Sequence, residues 1–166
     1  MIDKNNLNVA IIGGGPAGLM AADVLCAKGF SVDLYDSMPS LGRKFLMAGK
    51  SGLNLTHAEA FDAFSERFVE TKFFLAPILD AFPPSAIRAW ATNLGVETFV
   101  GTSGRVFPTE MKAAPLLRAW LRQLRANGLR IHVRHKWMGW DEDGRMMFDT
   151  PDGSVQVHPG ITVLAL

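Results

Sequence analysis

The chain has 166 residues, 48% of them hydrophobic and 20% charged, with a formal net charge of +1. That length can bury a core and makes one domain the default, while the near-neutral balance gives no case for a general nucleic-acid or membrane surface. No stretch approaches the ~20 apolar residues of a bilayer span, and the single cysteine, Cys26, excludes an internal disulfide and fits a reducing cytoplasm. Residues 1–6 carry no signal-peptide core and run straight into the first predicted strand.

That strand is Val9-Ala10-Ile11-Ile12, four apolar residues suited to a parallel strand covered on both faces. Gly13-Gly14-Gly15-Pro16-Ala17-Gly18 follows directly and satisfies G-x-G-x-x-G through Gly13, Gly15 and Gly18. The three glycines serve a tight turn, close backbone approach to a pyrophosphate, and close packing of helix on strand. The helix opening there has an apolar face of Leu19, Met20, Ala22, Val24 and Leu25, and Gly29 stands at its C-terminal stop. Cys26 lies on this helix and reads as core filling. A second strand, Ser31-Val32-Asp33-Leu34-Tyr35, closes on Asp36, roughly 20 residues after the fingerprint, where a carboxylate can accept hydrogen bonds from a ribose. An acid at that place favours an unphosphorylated ribose, so FAD or NAD over NADP. The bland alternative is a strand–turn–helix junction that binds nothing.

Residues 37–56 form a long glycine-containing connection, of a length that compact domains keep for function. Thr56-His57-Ala58-Glu59 has the spacing of a capping box, which predicts a helix through about residue 69. Pro83-Pro84 interrupts the next apolar segment, and Ser85 can cap a short helix over residues 86–94, stopped by Gly95. A strand is expected over 96–100, a turn at Gly101-Thr102-Ser103-Gly104, and an extended path over 105–108. Leu116, Leu117, Trp120, Leu121 and Leu124 have helical spacing and predict a helix over 112–127, with Gly128 ending it and the arginines on its solvated face. Alternation over 129–133 then predicts a strand. Asp141-Glu142-Asp143-Gly144 and Pro151-Asp152-Gly153 mark two hairpin turns of an antiparallel meander. Residues 160–166 read as a final buried parallel strand. Ending there, where a ligand-facing loop should begin, the chain is expected to be an N-terminal portion of a longer protein. The expected fold is α/β: a Rossmann-like, FAD-binding domain of the glutathione-reductase type, with a parallel sheet, a β-meander crossover and a helical excursion.

Three stretches, GGGPAGLMAA, GRKFLMAGKSGLNLTH and GRVFPTEMKAAPLLRAWL, give the whole chain a resemblance to a bacterial family of FAD-dependent oxidoreductases, often labelled aminoacetone-oxidase-like or NAD(P)/FAD-dependent. The last two stretches are far more specific than the glycine fingerprint. The resemblance implies that residues 13–18 meet the FAD pyrophosphate and Asp36 the adenosine ribose. It further implies that Arg43 and Lys44 lie along the adenosine side, that the 48–54 loop lies near the flavin, and that the backbone of Trp137 meets the adenine. The cofactor-contacting candidates are Gly13, Gly14, Gly15, Pro16, Ala17, Gly18, Tyr35, Asp36, Ser37, Gly42, Arg43, Lys44, Ala48, Gly49, Asn54, Trp137 and Ala165. The chain departs from many relatives in reading Gly52-Leu53-Asn54 where theirs ends Arg-Cys-Asn, so no role passes over for that arginine or cysteine. Relatives also continue past this length into a Gly-Gly turn and a second domain.

Among the remaining polar residues, Asn54 is balanced between a flavin contact and a turn, Thr56 reads as a cap, and Arg105 could face an anionic substrate or pair with Glu97 or Glu110. Trp90 and Trp120 read as core. The four histidines show no metal-ligand spacing, and no nucleophile-elbow motif occurs. The function expected is that of an FAD-dependent oxidoreductase acting on a small molecule, with NAD(P)H a candidate electron donor and no catalytic acid, base or nucleophile assigned. The alternative is a non-catalytic dinucleotide-binding module or an inactive fragment.

Overall fold

A computed structural model describes residues 7–49 and 51–166; residues 1–6 and Lys50, the latter within the 48–54 loop, lie outside the described residues. In chain order the elements are β1 (Asn8–Ile12), α1 (Pro16–Ala27), β2 (Ser31–Asp36), α2 (Arg43–Ala48), β3 (Thr56–His57), α3 (Phe61–Glu66), α4 (Lys72–Ala81) and α5 (Pro84–Asn93). They continue as β4 (Thr98–Val100), β5 (Arg105–Pro108), α6 (Ala113–Ala126), β6 (Arg130–Val133), β7 (Lys136–Trp140), β8 (Met146–Thr150), β9 (Gly153–Val157) and β10 (Ile161–Leu164). The chain divides into two compact units, residues 1–45 with 121–166, and residues 46–120.

The first unit is built on a parallel sheet in the order β10-β1-β2-β6. Its central strands are apolar on both faces, as a covered parallel sheet demands: Val9, Ala10, Ile11, Val32 and Leu34 are fully buried. Helix α1 packs on β1 and β2, with Leu19 and Ala22 buried. The alternate residues Ala10, Ile12 and Tyr35 form a cluster with Met146 and Phe148 of β8. The antiparallel meander β7-β8-β9 supplies that second layer.

One polar group enters this core. Asp33 is buried and accepts a fork of hydrogen bonds from Arg130 (2.8 and 2.7 Å), while His132 Nε2 lies 2.8 Å from its Oδ1. Burial pushes the Asp33 carboxyl up, but the hydrogen bonds from Arg130 and His132 and the guanidinium charge outweigh it and hold the group at about 2. The imidazole of His132 also stacks on Tyr35 at 4.5 Å, and Phe148 stacks on the same ring at 4.4 Å. Burial, reinforced by the Asp33 charge, raises the Tyr35 phenol to about 12.

The second unit contains the antiparallel sheet β3-β5-β4 and helices α3 to α5. Val106 of β5 is fully buried, as is Ala91 of α5. Trp120 is 1% exposed, the core role expected of it, and meets the half-buried Trp90 edge to face at 4.8 Å. Helices α3 and α4 bury no residue at all.

Several expectations change. Within the 37–56 connection, α2 occupies six residues. Thr56 does not open a helix, because Thr56 and His57 pair with Val106 and Arg105 as strand β3. Glu59 does not reach back to close a capping box; its carboxylate takes both ends of Arg67 (2.5 and 2.7 Å), and α3 starts only at Phe61. Pro83, not Ser85, caps α5, with Pro84 in the first turn where its missing N–H costs nothing. Strand β10 is parallel to β1 as expected but not buried. It is the edge of its sheet, and Ile161 and Leu164 remain 44% and 52% exposed. Among the described residues Arg105 has no ion pair with Glu97 or Glu110, and its side chain is exposed.

Candidate functional site

The glycine turn sits at the C-terminal end of β1, where an open α/β sheet places its ligands. Each glycine there answers a different contact. A Cβ on Gly18 would stand 1.9 Å from the carbonyl oxygen of Gly13, so only glycine lets α1 approach the turn. Gly13 has φ of 108°, and a Cβ there would meet the Ala165 carbonyl oxygen at 2.3 Å. At Gly15 an added Cβ would meet nothing within 4 Å. The first two glycines are closed by protein; the third faces open space.

The acid at the end of β2 is tied to that turn. Asp36 Oδ2 accepts the Gly14 N–H at 2.7 Å, and Oδ1 accepts the Met38 N–H at 2.7 Å. The Gly13 N–H donates to the Tyr35 carbonyl at 2.9 Å. The turn after β6 is pinned to the same loop: His135 N–H donates to the Asp36 carbonyl at 2.9 Å and Arg134 N–H to that of Met38 at 3.1 Å. Arg134 adopts a φ of 58° to make this turn, a conformation uncommon for a side chain of its size.

Between these walls lies a cavity of about 560 Å³, lined by Gly13, Gly14, Gly15, Pro16, Ala17, Tyr35, Asp36, Ser37, Lys44, Trp137 and Ala165 together with Ile12, Met38, His135, Lys136 and Leu166. Eleven of the seventeen candidate residues therefore line one space. Gly18 stands behind it in its packing role, and Gly42 donates its N–H to the Gly14 carbonyl at 2.8 Å, supporting the turn without lining the cavity. Arg43 opens α2 and is exposed. Ala48, Gly49 and Asn54 belong to the second unit. There Gly49 packs against Ala113, whose Cβ would lie 2.6 Å from a side chain at 49, and Asn54 is exposed.

His135 and Lys136 are the polar lining residues that sequence reasoning missed. The signal lay in their place immediately before Trp137, a candidate already. Lys44, His135 and Lys136 give the cavity basic groups opposite the single acid Asp36, a polarity suited to an anionic ligand that also carries hydroxyls. Pro16 brings no N–H to the first turn of α1, but the Ala17 and Gly18 amides there have no intrahelical acceptors, which adds to that polarity. Cys26 stays out of this chemistry: it is buried, and burial together with the Asp23 charge raises its thiol.

A parallel sheet, a glycine turn feeding a helix, and an acid hydrogen-bonded to that turn define a Rossmann-type α/β protein. The chain belongs to the HI0933-like protein Rossmann-domain family, which it matches over residues 7–166. It is also similar to the thiamine thiazole synthase of Methanosarcina acetivorans, at 31% identity over 104 residues, covering 59% of this chain and 39% of that protein. The chain thus spans about two fifths of the length of that curated relative. Among solved structures it is similar to Thermovibrio ammonificans THI4 (TM-score 0.60, 17% identity, 96% of this chain and 57% of that one). It is also similar to the 3-ketosteroid-delta4-(5alpha)-dehydrogenase of Rhodococcus jostii RHA1 (TM-score 0.63, 15% identity, 99% and 47%). At those identities the two structures support the fold alone.

Proposed function

We propose that this chain is the nucleotide-binding part of an FAD-dependent oxidoreductase acting on a small molecule. The observation that carries the reading is the Asp36 carboxylate, held 2.7 Å from the Gly14 amide beside a cavity into which Gly15 opens. A diphosphate fits against Gly15 and the first turn of α1, and each Asp36 oxygen, having taken one backbone N–H, keeps a lone pair for a ribose hydroxyl. Lys44 and Lys136 would screen the phosphate charge, and the strand bearing Trp137 would form the adenine wall. The meander between β6 and β10 favours FAD over NAD, since FAD domains of the glutathione-reductase type carry one there. When bound, FAD would accept hydride or electrons, with NAD(P)H a candidate donor; the chain's own residues bind and orient it. The thiazole synthase similarity keeps a non-redox use of the same cavity as the second reading.

The test is retention of flavin absorption by the purified chain after incubation with FAD and desalting, combined with amide NMR shifts at residues 13–15. Asp36→Ala should weaken FAD binding about tenfold or more, by removing the charge-assisted acceptor. If ADP-ribose and FAD shift the glycine amides equally and no flavin is retained, the chain is a general dinucleotide module. If neither ligand moves those amides, the reading fails.

A further inference from the structure

The second unit holds a cavity of its own, about 530 Å³, in the range of small-molecule sites. One wall is α5, which presents Ser85, Arg88 and Thr92 at helical spacing; the others come from His57 and Glu59 after β3, and from Glu97 and Thr98 at the entry to β4. Most of these groups are already satisfied. His57 has both ring nitrogens engaged, Nε2 with the Ser103 carbonyl at 3.0 Å and Nδ1 with the Glu59 N–H at 3.2 Å. The Glu59 carboxylate is held by the Arg67 fork, which lowers its titration through the hydrogen bond and the charge. Thr92 donates to the Arg88 carbonyl at 3.0 Å.

Two opposite charges are left over. Arg88 is fixed by a hydrogen bond from Nε to Thr98 Oγ1 at 3.2 Å, and among the described residues the two terminal nitrogens of its fork are uncommitted. Among the described residues neither Arg88 nor Glu97 forms an ion pair, so their charged atoms stay more than 4.0 Å apart. An anchored guanidinium next to the N-terminal turn of a ten-residue helix suits a carboxylate, which a planar fork can take with two bonds. A free carboxylate lining the same cavity suits an ammonium.

We propose that this cavity binds a small zwitterion of the amino-acid class, its carboxylate on Arg88 and Ser85 and its ammonium on Glu97. The proposal does not rest on the dinucleotide reading, because every lining residue belongs to the second unit.

The experiment is saturation-transfer NMR on the 166-residue chain with the common L-amino acids, each compared with its carboxamide and its deaminated acid. At least one amino acid should bind at millimolar concentration or below, and losing either charge should weaken it about tenfold. Arg88→Gln should erase the preference for carboxylate over carboxamide while the preference for the amine survives. Glu97→Gln should do the converse. Arg88→Lys keeps the charge but loses the fork, and should weaken binding less than Arg88→Gln; it serves as the reading if the glutamine variant unfolds. The proposal is overturned if no amino acid binds at up to about 20 mM, if the amide or the deaminated acid binds as well as its parent, or if the charge preferences survive both substitutions.

Discussion

The two units of this chain use similar hydrophobic material to opposite ends. In the first, Val9, Ala10, Ile11, Val32 and Leu34 have no exposure, and the meander closes the opposite face with Phe148 at 1%. In the second, α4 carries Phe73 at 95%, Phe74 at 83% and Ile78 at 61% exposure. The difference teaches that apolar content, 48% across the sequence, does not locate a core. A continuous apolar strand flanked by a glycine turn marks a segment covered on both faces, whereas adjacent phenylalanines on a short helix mark no core. Two substitutions test this most forcefully. Phe148→Ala should cost about 3–5 kcal/mol in urea unfolding, the usual loss for a fully buried phenylalanine. Phe73→Ser should change stability by no more than about 0.5 kcal/mol. If Phe73→Ser cost as much as Phe148→Ala, α4 would have to be packed in solution and the contrast would dissolve.

Charge separates the units as well. Among the described residues the first unit sets one carboxylate in its core, Asp33, in addition to the surface pairs of Arg145 with Asp141 and Asp143, while in the second unit Arg67–Glu59 and Lys72–Glu66 lie at the surface. Because the folded-state pKa of Asp33 is depressed from 3.8 to about 2, its contribution is fully present above the unfolded value and fades as pH falls toward 2. The lowering corresponds to roughly 2 kcal/mol. Unfolding free energies measured from pH 6 down to pH 2 should show this loss below about pH 4, and Asp33→Asn should flatten that part of the profile. An unchanged slope in Asp33→Asn would place the acid sensitivity elsewhere.

The same contrast explains which features could be read in advance. From β1 to β2 the sequence states its own geometry: apolar runs, a glycine turn, a helix with a glycine stop, and an acid. The meander was legible too, because Asp143-Gly144 and Asp152-Gly153 mark its turns. Legibility failed where a long-range contact overrode a local signal. Thr56-His57-Ala58-Glu59 has capping-box spacing, yet pairing with β5 draws Thr56 and His57 into a strand and Arg67 takes Glu59. Asp33 was read as one more strand residue, since nothing nearby announces that Arg130 and His132 will meet it from almost a hundred positions away. The candidate site divided in the same way. The glycines, Asp36 and their neighbours came together around one cavity, but Lys136 and His135 reach it only through the parallel pairing of β6 with β2 and the turn that follows.

The finest probe compares two glycines that both stood among the cofactor candidates, one in each unit. Gly15 has an ordinary φ of −78° and an open surround, so Gly15→Ala should cost less than about 1 kcal/mol, mostly as a poorer helix cap. Its methyl group would nevertheless project into the cavity and should weaken FAD or ADP-ribose binding about tenfold. Gly49 is enclosed, with Ala113 Cβ at 2.6 Å and its backbone nitrogen at 3.1 Å from an added Cβ. Gly49→Ala should therefore cost about 1–3 kcal/mol as an overpacked contact. Thermal melts and ligand titrations on the two variants should move in opposite senses: binding lost with stability kept at Gly15, stability lost at Gly49. A Gly15→Ala chain that kept full affinity would mean that the diphosphate does not approach the backbone there, whatever the shape of the turn.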